Sequence, residues 1–372
     1  MELILMIRFF TILTIYFLLT SCGMVVSKLI PFTDLPKPIG KYNIGTKIET
    51  WIDYDRLEWF TENDKNDHRK IVVQFWYPTD DVSGDFAPYM DDWKKRIGPV
   101  SEQVEVKEFM ISSIKNVNTN SHMDATVKKM IDKMPLIIFS HGLGGMRMQN
   151  TIQMETLASV GYFVLAIDHS YDANITLFDD GTHADFRSAA EGDLSVQEFW
   201  DLRIPQINTR SDDVLFVLDE IESFLGLNIP FWQDVDMGKI GVLGHSFGGA
   251  TGIISSIKDD RIDACMALDG WIVPIESSYV QKGMNVPMLY IGRPKWDTPL
   301  NYMKLDSLIE NSDAPATKII LPDTKHIDYS DTPQFSPISK KIGISGDMPA
   351  ADIRDTLNDK MLNFFDAYLR ND

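Results

Sequence analysis

Five consecutive residues, Gly244-His245-Ser246-Phe247-Gly248, carry the clearest chemistry in this chain of 372 residues. The apolar run KIGVLG (239–244) enters them and Gly249-Ala250-Thr251-Gly252 leaves them, so a strand precedes the serine and a helix follows it. That is the setting of a G-x-S-x-G nucleophile turn. Its glycines let strand and helix approach closely, and the serine hydroxyl stands at the helix N-terminus, where free N–H groups favour a developing anion. A serine hydroxyl is a weak nucleophile. It needs a general base, and the base needs an acid to orient it. On a sheet of this kind the chain order is serine, acid, histidine. Of the seven histidines only His326 lies beyond Ser246, in DTKHIDYSD after the strand TKIILP (317–322). His245 neighbours the nucleophile in a tight turn, where adjacent side chains point apart. His141 and His169 end earlier strands and read as wall or loop residues.

Two aspartates compete for the role of acid. Asp269 directly follows the apolar strand IDACMAL (262–268), whereas Asp297 lies in RPKWDTP, five residues past VPMLYIG (286–292). The strand before Asp297 is the commoner source of the acid in such sheets, while the tight approach to Asp269 leans weakly the other way. Both stand at strand C-terminal ends, where open α/β sheets put their sites, and the local sequence leaves the choice open. The oxyanion of an ester intermediate needs two donors. Phe247, the residue after the nucleophile, supplies one backbone N–H. Leu143, in the loop His141-Gly142-Leu143-Gly144-Gly145 after an earlier strand, is the natural second.

The elements that must position these residues are legible as continuous apolar runs. IVVQFWYP from residue 71 forms a strand closed by Pro78, and PLIIFS (135–140) and YFVLAID (162–168) read as strands buried on both faces. Between the last two lies a helical pattern through Met154, Leu157 and Ala158 that ends at Gly161. A longer helix carries Val214, Val217, Leu218, Ile221, Phe224 and Leu225 at spacings of three and four, a core stripe. A closing helix over 351–369 carries Ile353, Leu357, Met361, Phe365 and Leu369. Alternating strands and helices predict one α/β domain over 41–372, with a mostly parallel central sheet and helices on both faces. Two polar stretches, near 79–133 and 170–200, are expected to be insertions, the first, irregular one an insertion or a lid rather than a second domain.

Composition narrows the partners. The chain has 35 basic against 54 acidic residues, a net charge of −19. Nucleic acid is excluded as a partner because its phosphates need clustered cations. Only two cysteines occur. Cys265 lies inside an apolar run without an electropositive neighbour and reads as a small core residue. No cysteine and histidine cluster has metal-ligand spacing, and no cofactor is implied. Cys22 closes a leader: Arg8, then FFTILTIYFLLTS, then the cysteine. That run has signal-peptide length and is short for a membrane span. Its end, Leu19-Thr20-Ser21-Cys22, looks like the lipobox of a bacterial lipoprotein. Residues 1–21 are then a signal peptide, Cys22 is lipidated at a membrane surface, and 22–40 form a tether. The expected location is exported and lipid-anchored, on the periplasmic or cell-surface side of a bacterial membrane.

Taken together, PLIIFSHGLG, LASVGYFVLAIDH, RSDDVLFVLDEI, GHSFGGAT, ALDGWIVP and DTKHIDYSD resemble the plasma, lipoprotein-associated type of platelet-activating factor acetylhydrolases, which are α/β-hydrolases. The resemblance implies that Asp269, in the A-L-D-x-W block, is the catalytic acid beside Ser246 and His326, with Leu143 and Phe247 as oxyanion donors. It also implies calcium-independent hydrolysis of short or oxidised sn-2 acyl chains of phospholipids. A general carboxylesterase of the dienelactone-hydrolase or polyester-hydrolase type shares the triad and differs in its pocket. A surface lipoprotein that kept the fold only for binding is the reading of another class.

Overall fold

A computed structural model describes residues 32–61, 63–189, 194–336, 338–341 and 343–370. The leader and Cys22 lie outside the described residues. Twelve strands occur among those described: β1 (Asn43–Leu57), β2 (His68–Thr79), β3 (Phe86–Pro88), β4 (Asn118–Met123), β5 (Met134–Ser140), β6 (Phe163–Asp168), β7 (Ile175–Leu177), β8 (His183–Asp185), β9 (Val235–His245), β10 (Ala264–Leu268), β11 (Met288–Gly292) and β12 (Ala316–Ile320). Ten of them form one sheet in the order β12-β11-β10-β9-β5-β6-β2-β1-β4-β3, and β7 pairs with β8. From β12 to β6 every pairing is parallel, as strand–helix–strand connections require. Beyond β6 the sheet turns antiparallel through β2 and β1.

Among the described residues ten α-helices accompany the strands: α1 (Trp93–Gln103), α2 (Glu108–Ile111), α3 (Thr151–Ser159), α4 (Val196–Gly226), α5 (Phe247–Lys258), α6 (Ser277–Lys282), α7 (Leu300–Glu310), α8 (Thr332–Phe335), α9 (Ile338–Lys341) and α10 (Ala350–Leu369). The unbroken apolar strands follow from burial on both faces. In β5, Leu136 and Ile138 join a core with Val214 and Val217 of α4 and Ile253 and Ile257 of α5. Their neighbours Ile137 and Phe139 face Met154 and Leu157 of α3 and Leu357, Met361 and Phe365 of α10. Side-chain alternation along a strand thus feeds two separate cores.

Two expectations change, and one strand is new. The stretch 79–133, read as irregular, has secondary structure of its own. Within it β3 and β4 extend the sheet past β1, and α1 packs Ile97 into a third cluster with Tyr89, Ile114 and Val117. The polar sequence of β4, NTNSHM, hid the strand because it pairs with β1 over only three residues. Residues 32–40 are not a loose tether. Leu35 is buried in that third cluster, Phe32 stacks on Phe335, Leu35 N–H donates to Asn118 O (3.1 Å), and Gly40 N–H donates to Ser159 Oγ (3.0 Å). This strap and β4 cover the outer side of α3, which is why every residue of that helix is buried. Finally, β1 escaped the sequence reading altogether, because charged Lys47, Glu49 and Asp53 interrupt its apolar positions.

Candidate active site

β9 delivers the chain to Ser246 and α5 carries it away. Ser246 has φ 56° and ψ −120°, a backbone conformation that costs an L-residue free energy and persists only where its surroundings impose it. The restraints are visible. Ser246 N–H donates to Leu268 O (3.0 Å), and its carbonyl accepts from Gly249 (3.0 Å) and Trp271 (2.8 Å). The flanking glycines are demanded by contact. A Cβ on Gly244 would stand 2.0 Å from Gly248 O, and one on Gly248 would stand 1.9 Å from Ser140 O. Phe247, fully buried, opens α5, so its N–H belongs to the first turn, which has no intrahelical acceptor.

The loop 141–145 lies against the serine. The Cβ position of Gly142 falls 3.1 Å from Ser246 Cβ and 3.6 Å from its Oγ, and Leu143, half-buried, comes next. Gly144, at φ 69°, donates its N–H to Asp172 O (2.9 Å), while Gly145 accepts from Asn174 (2.9 Å). Both polar stretches reach this loop, through Gln103 of α1 and through Phe186.

His326 follows β12 at the start of a short 3-10 turn. Its Nδ1 lies 2.5 Å from Oδ2 of Asp269, which is fully buried at the end of β10 with φ 41°. Asp269 Oδ1 accepts from the backbone N–H of Arg293 (3.0 Å). Asp297, the rival, is exposed and makes no ion pair or side-chain hydrogen bond among the described residues. Its buried neighbour Trp296 is the residue that points inward, meeting the His326 ring in a T-shaped contact at 5.2 Å.

His245 does more than occupy the turn. Its ring stacks on His326 at 4.7 Å, and its Nε2 donates to His326 O (3.2 Å). Gln149 Nε2 donates to its Nδ1 (2.9 Å), so the two bonds fix the tautomer. Burial, and then the nearby His326, drive its pKa far below the usual range, and it serves as a neutral shelf under the His326 ring. Cys265 is fully buried, with its thiol pushed up to about 12 by burial, a core residue. Among the described residues no group of three or more His, Cys, Asp or Glu side chains could hold a metal ion.

Beneath the loop sits a buried ionic network that sequence reasoning missed. Asp213 of α4 takes Arg69 (2.6 Å), Arg56 (3.0 Å) and His169 Nδ1 (2.8 Å). Burial alone would raise the Asp213 pKa, but the two guanidiniums hold it well below the carboxylate range. His169 is pulled down to about 3 by burial and the Arg210 charge, and its Nε2 reaches Ser140 Oγ (3.1 Å). His141 is equally buried and accepts from His169 N–H (3.2 Å). Arg210, pushed down to about 10 by burial, bonds His141 O and Thr251 Oγ1, tying α4 to the Gly-rich loop and to α5. The signal was present: Arg210 falls inside the stripe Ile207, Val214, Val217, Ile221, and a charge within an apolar stripe must be paired.

A mostly parallel sheet flanked by helices, with a strained serine between a strand and a helix, defines a protein of the α/β-hydrolase type. The chain belongs to the family of platelet-activating factor acetylhydrolase, isoform II, whose model matches residues 30–372. It is similar to the platelet-activating factor acetylhydrolases of Gallus gallus (28% identity, covering 64% of this chain and 63% of that one) and Cavia porcellus (25%, 91% and 78%). A probable 1-alkyl-2-acetylglycerophosphocholine esterase of Arthroderma benhamiae is 30% identical over 42% of this chain and 35% of that one. The matches span about three-fifths of the length of the Gallus gallus protein and of the platelet-activating factor acetylhydrolase of Canis lupus familiaris (27% identity, covering 73% of this chain and 62% of that one). The fold is that of a ferulic acid esterase from Streptomyces cinnamoneus, with a TM-score of 0.74 at 24% identity over 91% of this chain and 93% of that one.

Proposed function

We propose that this chain is a serine ester hydrolase that removes short acyl groups from esters resembling sn-2 phospholipids, using a Ser246, His326 and Asp269 triad and an acyl-enzyme. The 2.5 Å bond from His326 Nδ1 to Asp269 Oδ2 carries the reading, since it links two residues 57 apart at the sheet end that holds the strained Ser246. Family membership and the names of the relatives support the substrate class. In the mechanism Asp269 accepts Nδ1–H and leaves Nε2 free to take the Ser246 proton as Oγ attacks the ester carbonyl. The backbone N–H groups of Leu143 and Phe247 hold the oxyanion. The alcohol departs with the proton from His326, and water repeats the sequence on the acyl-enzyme. The steps use no cofactor.

Aromatic rings pack beside the serine. Trp271, whose N–H bonds the Ser246 carbonyl, packs 5.4 Å from Phe247 and 6.1 Å from Phe199. Attachment at a bacterial membrane through lipidated Cys22 completes the reading. Among the described residues no helix is long and apolar enough to cross a membrane. Contacts run from Phe32 to the site: Phe32 stacks on Phe335 of α8, Asp331 N–H at the start of that helix donates to Gln149 O, and Gln149 holds His245. Loss of fatty-acid incorporation in Cys22→Ala tests the anchor.

The activity is tested by hydrolysis of p-nitrophenyl esters from acetate to decanoate, beside Ser246→Ala. Serine-dependent turnover that collapses beyond short chains is expected. Broad chain tolerance would instead point to a general carboxylesterase. Folded protein that turns over no ester and resists a fluorophosphonate would leave a binding lipoprotein.

A further inference from the structure

We propose that Arg293 is a positioning residue of this site, a fixed cation that shares the Asp269 carboxylate with His326 and sets the pH at which the imidazole becomes available as a base. The inference rests on the triad proposed above. Asp269 ends β10 and Arg293 begins the loop after β11, and the two strands pair in parallel with Leu268 opposite Ile291. Adjacent strand ends thus bring carboxylate and guanidinium together. Arg293 Nε lies 3.2 Å from Oδ2, the oxygen that His326 Nδ1 uses, while the Arg293 backbone N–H holds Oδ1. The Nε contact lacks hydrogen-bond alignment, so its effect on the carboxylate is Coulombic.

The guanidinium is also kept in place. Its Cζ stands 4.4 Å over the ring of Trp296, whose Nε1 donates to Tyr290 Oη (3.2 Å), and Tyr302 Oη donates to the Arg293 carbonyl. The same Trp296 meets the His326 ring in a T-shaped contact at 5.2 Å, so one indole touches both the cation and the imidazole.

The other titratable groups near the pair are neutral or bonded to other partners. His245, stacked under His326, is neutral. On the His326 turn, Lys325 Nζ donates to Gly343 O, and Asp328 accepts from Lys325 and Gly346 N–H groups. Tyr290, Tyr302 and Tyr329 surround Asp269, and burial raises the pKa of all three, so they stay neutral. Among the described residues Arg293 is the permanent cation beside Asp269, and His326 becomes a second one only when protonated. With Arg293 present, the aspartate is already balanced, and protonating the imidazole adds an uncompensated charge. Without it, the imidazolium becomes the sole counter-ion of a buried carboxylate and persists to higher pH.

The test is the pH profile of kcat/KM for p-nitrophenyl acetate in the full chain and in R293Q and R293K, with the His326 ring followed by NMR in each. R293Q is expected to move the acid limb and the ring titration up by roughly 0.5–1 pH unit, with less than about a tenfold loss on the plateau. R293K, which keeps the charge, should stay near the parent. Arg293→Met, which keeps an apolar stem over Trp296, replaces R293Q should that variant not fold. A limb that stays put in the uncharged variant, or that moves equally in R293K, overturns the inference, because a merely structural arginine would lower the rate without that pattern. Turnover that survives Asp269→Asn instead sinks the triad beneath it, a result separable from the first.

Discussion

Replacing Asp269 by asparagine separates the two candidate acids and does so through a hydrogen-bond argument the site makes specific. Oδ1 accepts the Arg293 backbone N–H, so the amide oxygen of an asparagine is held at that position. The amide NH2 must then take the place of Oδ2, facing His326 Nδ1 and the Arg293 guanidinium. A donor aimed at Nδ1 makes that nitrogen the acceptor and puts the ring proton on Nε2, the atom that has to receive the Ser246 proton. The substitution selects the wrong tautomer and also removes the charge that stabilises the imidazolium. Roughly a thousand- to ten-thousand-fold loss of kcat follows, about 4–5.5 kcal/mol in the barrier.

Asp297→Asn changes an exposed group without an ionic or hydrogen-bonding partner, and its expected effect is less than about twofold. Both variants are assayed on p-nitrophenyl acetate beside Ser246→Ala, with thermal unfolding to verify the fold. Folded Asp269→Asn that keeps more than about a tenth of parental turnover would refute the reasoning. So would a large loss in Asp297→Asn.

Gly248→Ala drives a Cβ to 1.9 Å from Ser140 O and 2.7 Å from His141 O, both backbone atoms, and should cost about 3 kcal/mol or more in urea unfolding. Gly252→Ala, one turn on, meets nothing closer than Val242 Cγ2 at 3.4 Å and should be neutral or slightly stabilising. Asp213→Ala leaves Arg69, Arg56 and His169 without their common partner and should lose about 3–5 kcal/mol, read by the same unfolding curves. Glu155, buried under Asn120 and Ser121, has its pKa raised by burial to about 7. A raised carboxyl contributes stability that is full below its unfolded pKa and lost as pH climbs through the folded one. The unfolding midpoint of the parent relative to Glu155→Gln should therefore fall between pH 5 and 8, and a constant difference would count against a neutral Glu155.

How much of this was legible depended on which physical pattern each residue obeyed. Strands β5, β6 and β9 to β11 stood out because burial on both faces makes them continuously apolar. The glycines around Ser246 stood out because backbone contact excludes any side chain at two of them. Strands β1, β3 and β4 obey weaker rules: they are polar, short or interrupted by charge, and the neighbouring strand rather than their own sequence defines them. Of α4, the sequence revealed the half with the stripe from Val214. The N-terminal turns, which carry Phe199 toward Trp271, lie outside that stripe and start from the Ser195–Glu198 capping box.

The acid illustrates the boundary between the two kinds of information. Asp269 and Asp297 both follow strands, and nothing in their immediate sequence measures their distance to a histidine that arrives later in the chain. That distance is a property of strand order: β10 lies beside β9, the strand of Ser246, while the loop after β11 sends Trp296 rather than Asp297 toward the ring. The same loop sends back Arg293, so a single connection after β11 withholds one carboxylate and supplies the cation for the other. The identity of the acid and the electrostatic tuning of the base are thus two consequences of how that one loop turns. Uncharged replacements of Arg293 should therefore change the pH profile before they change the fold.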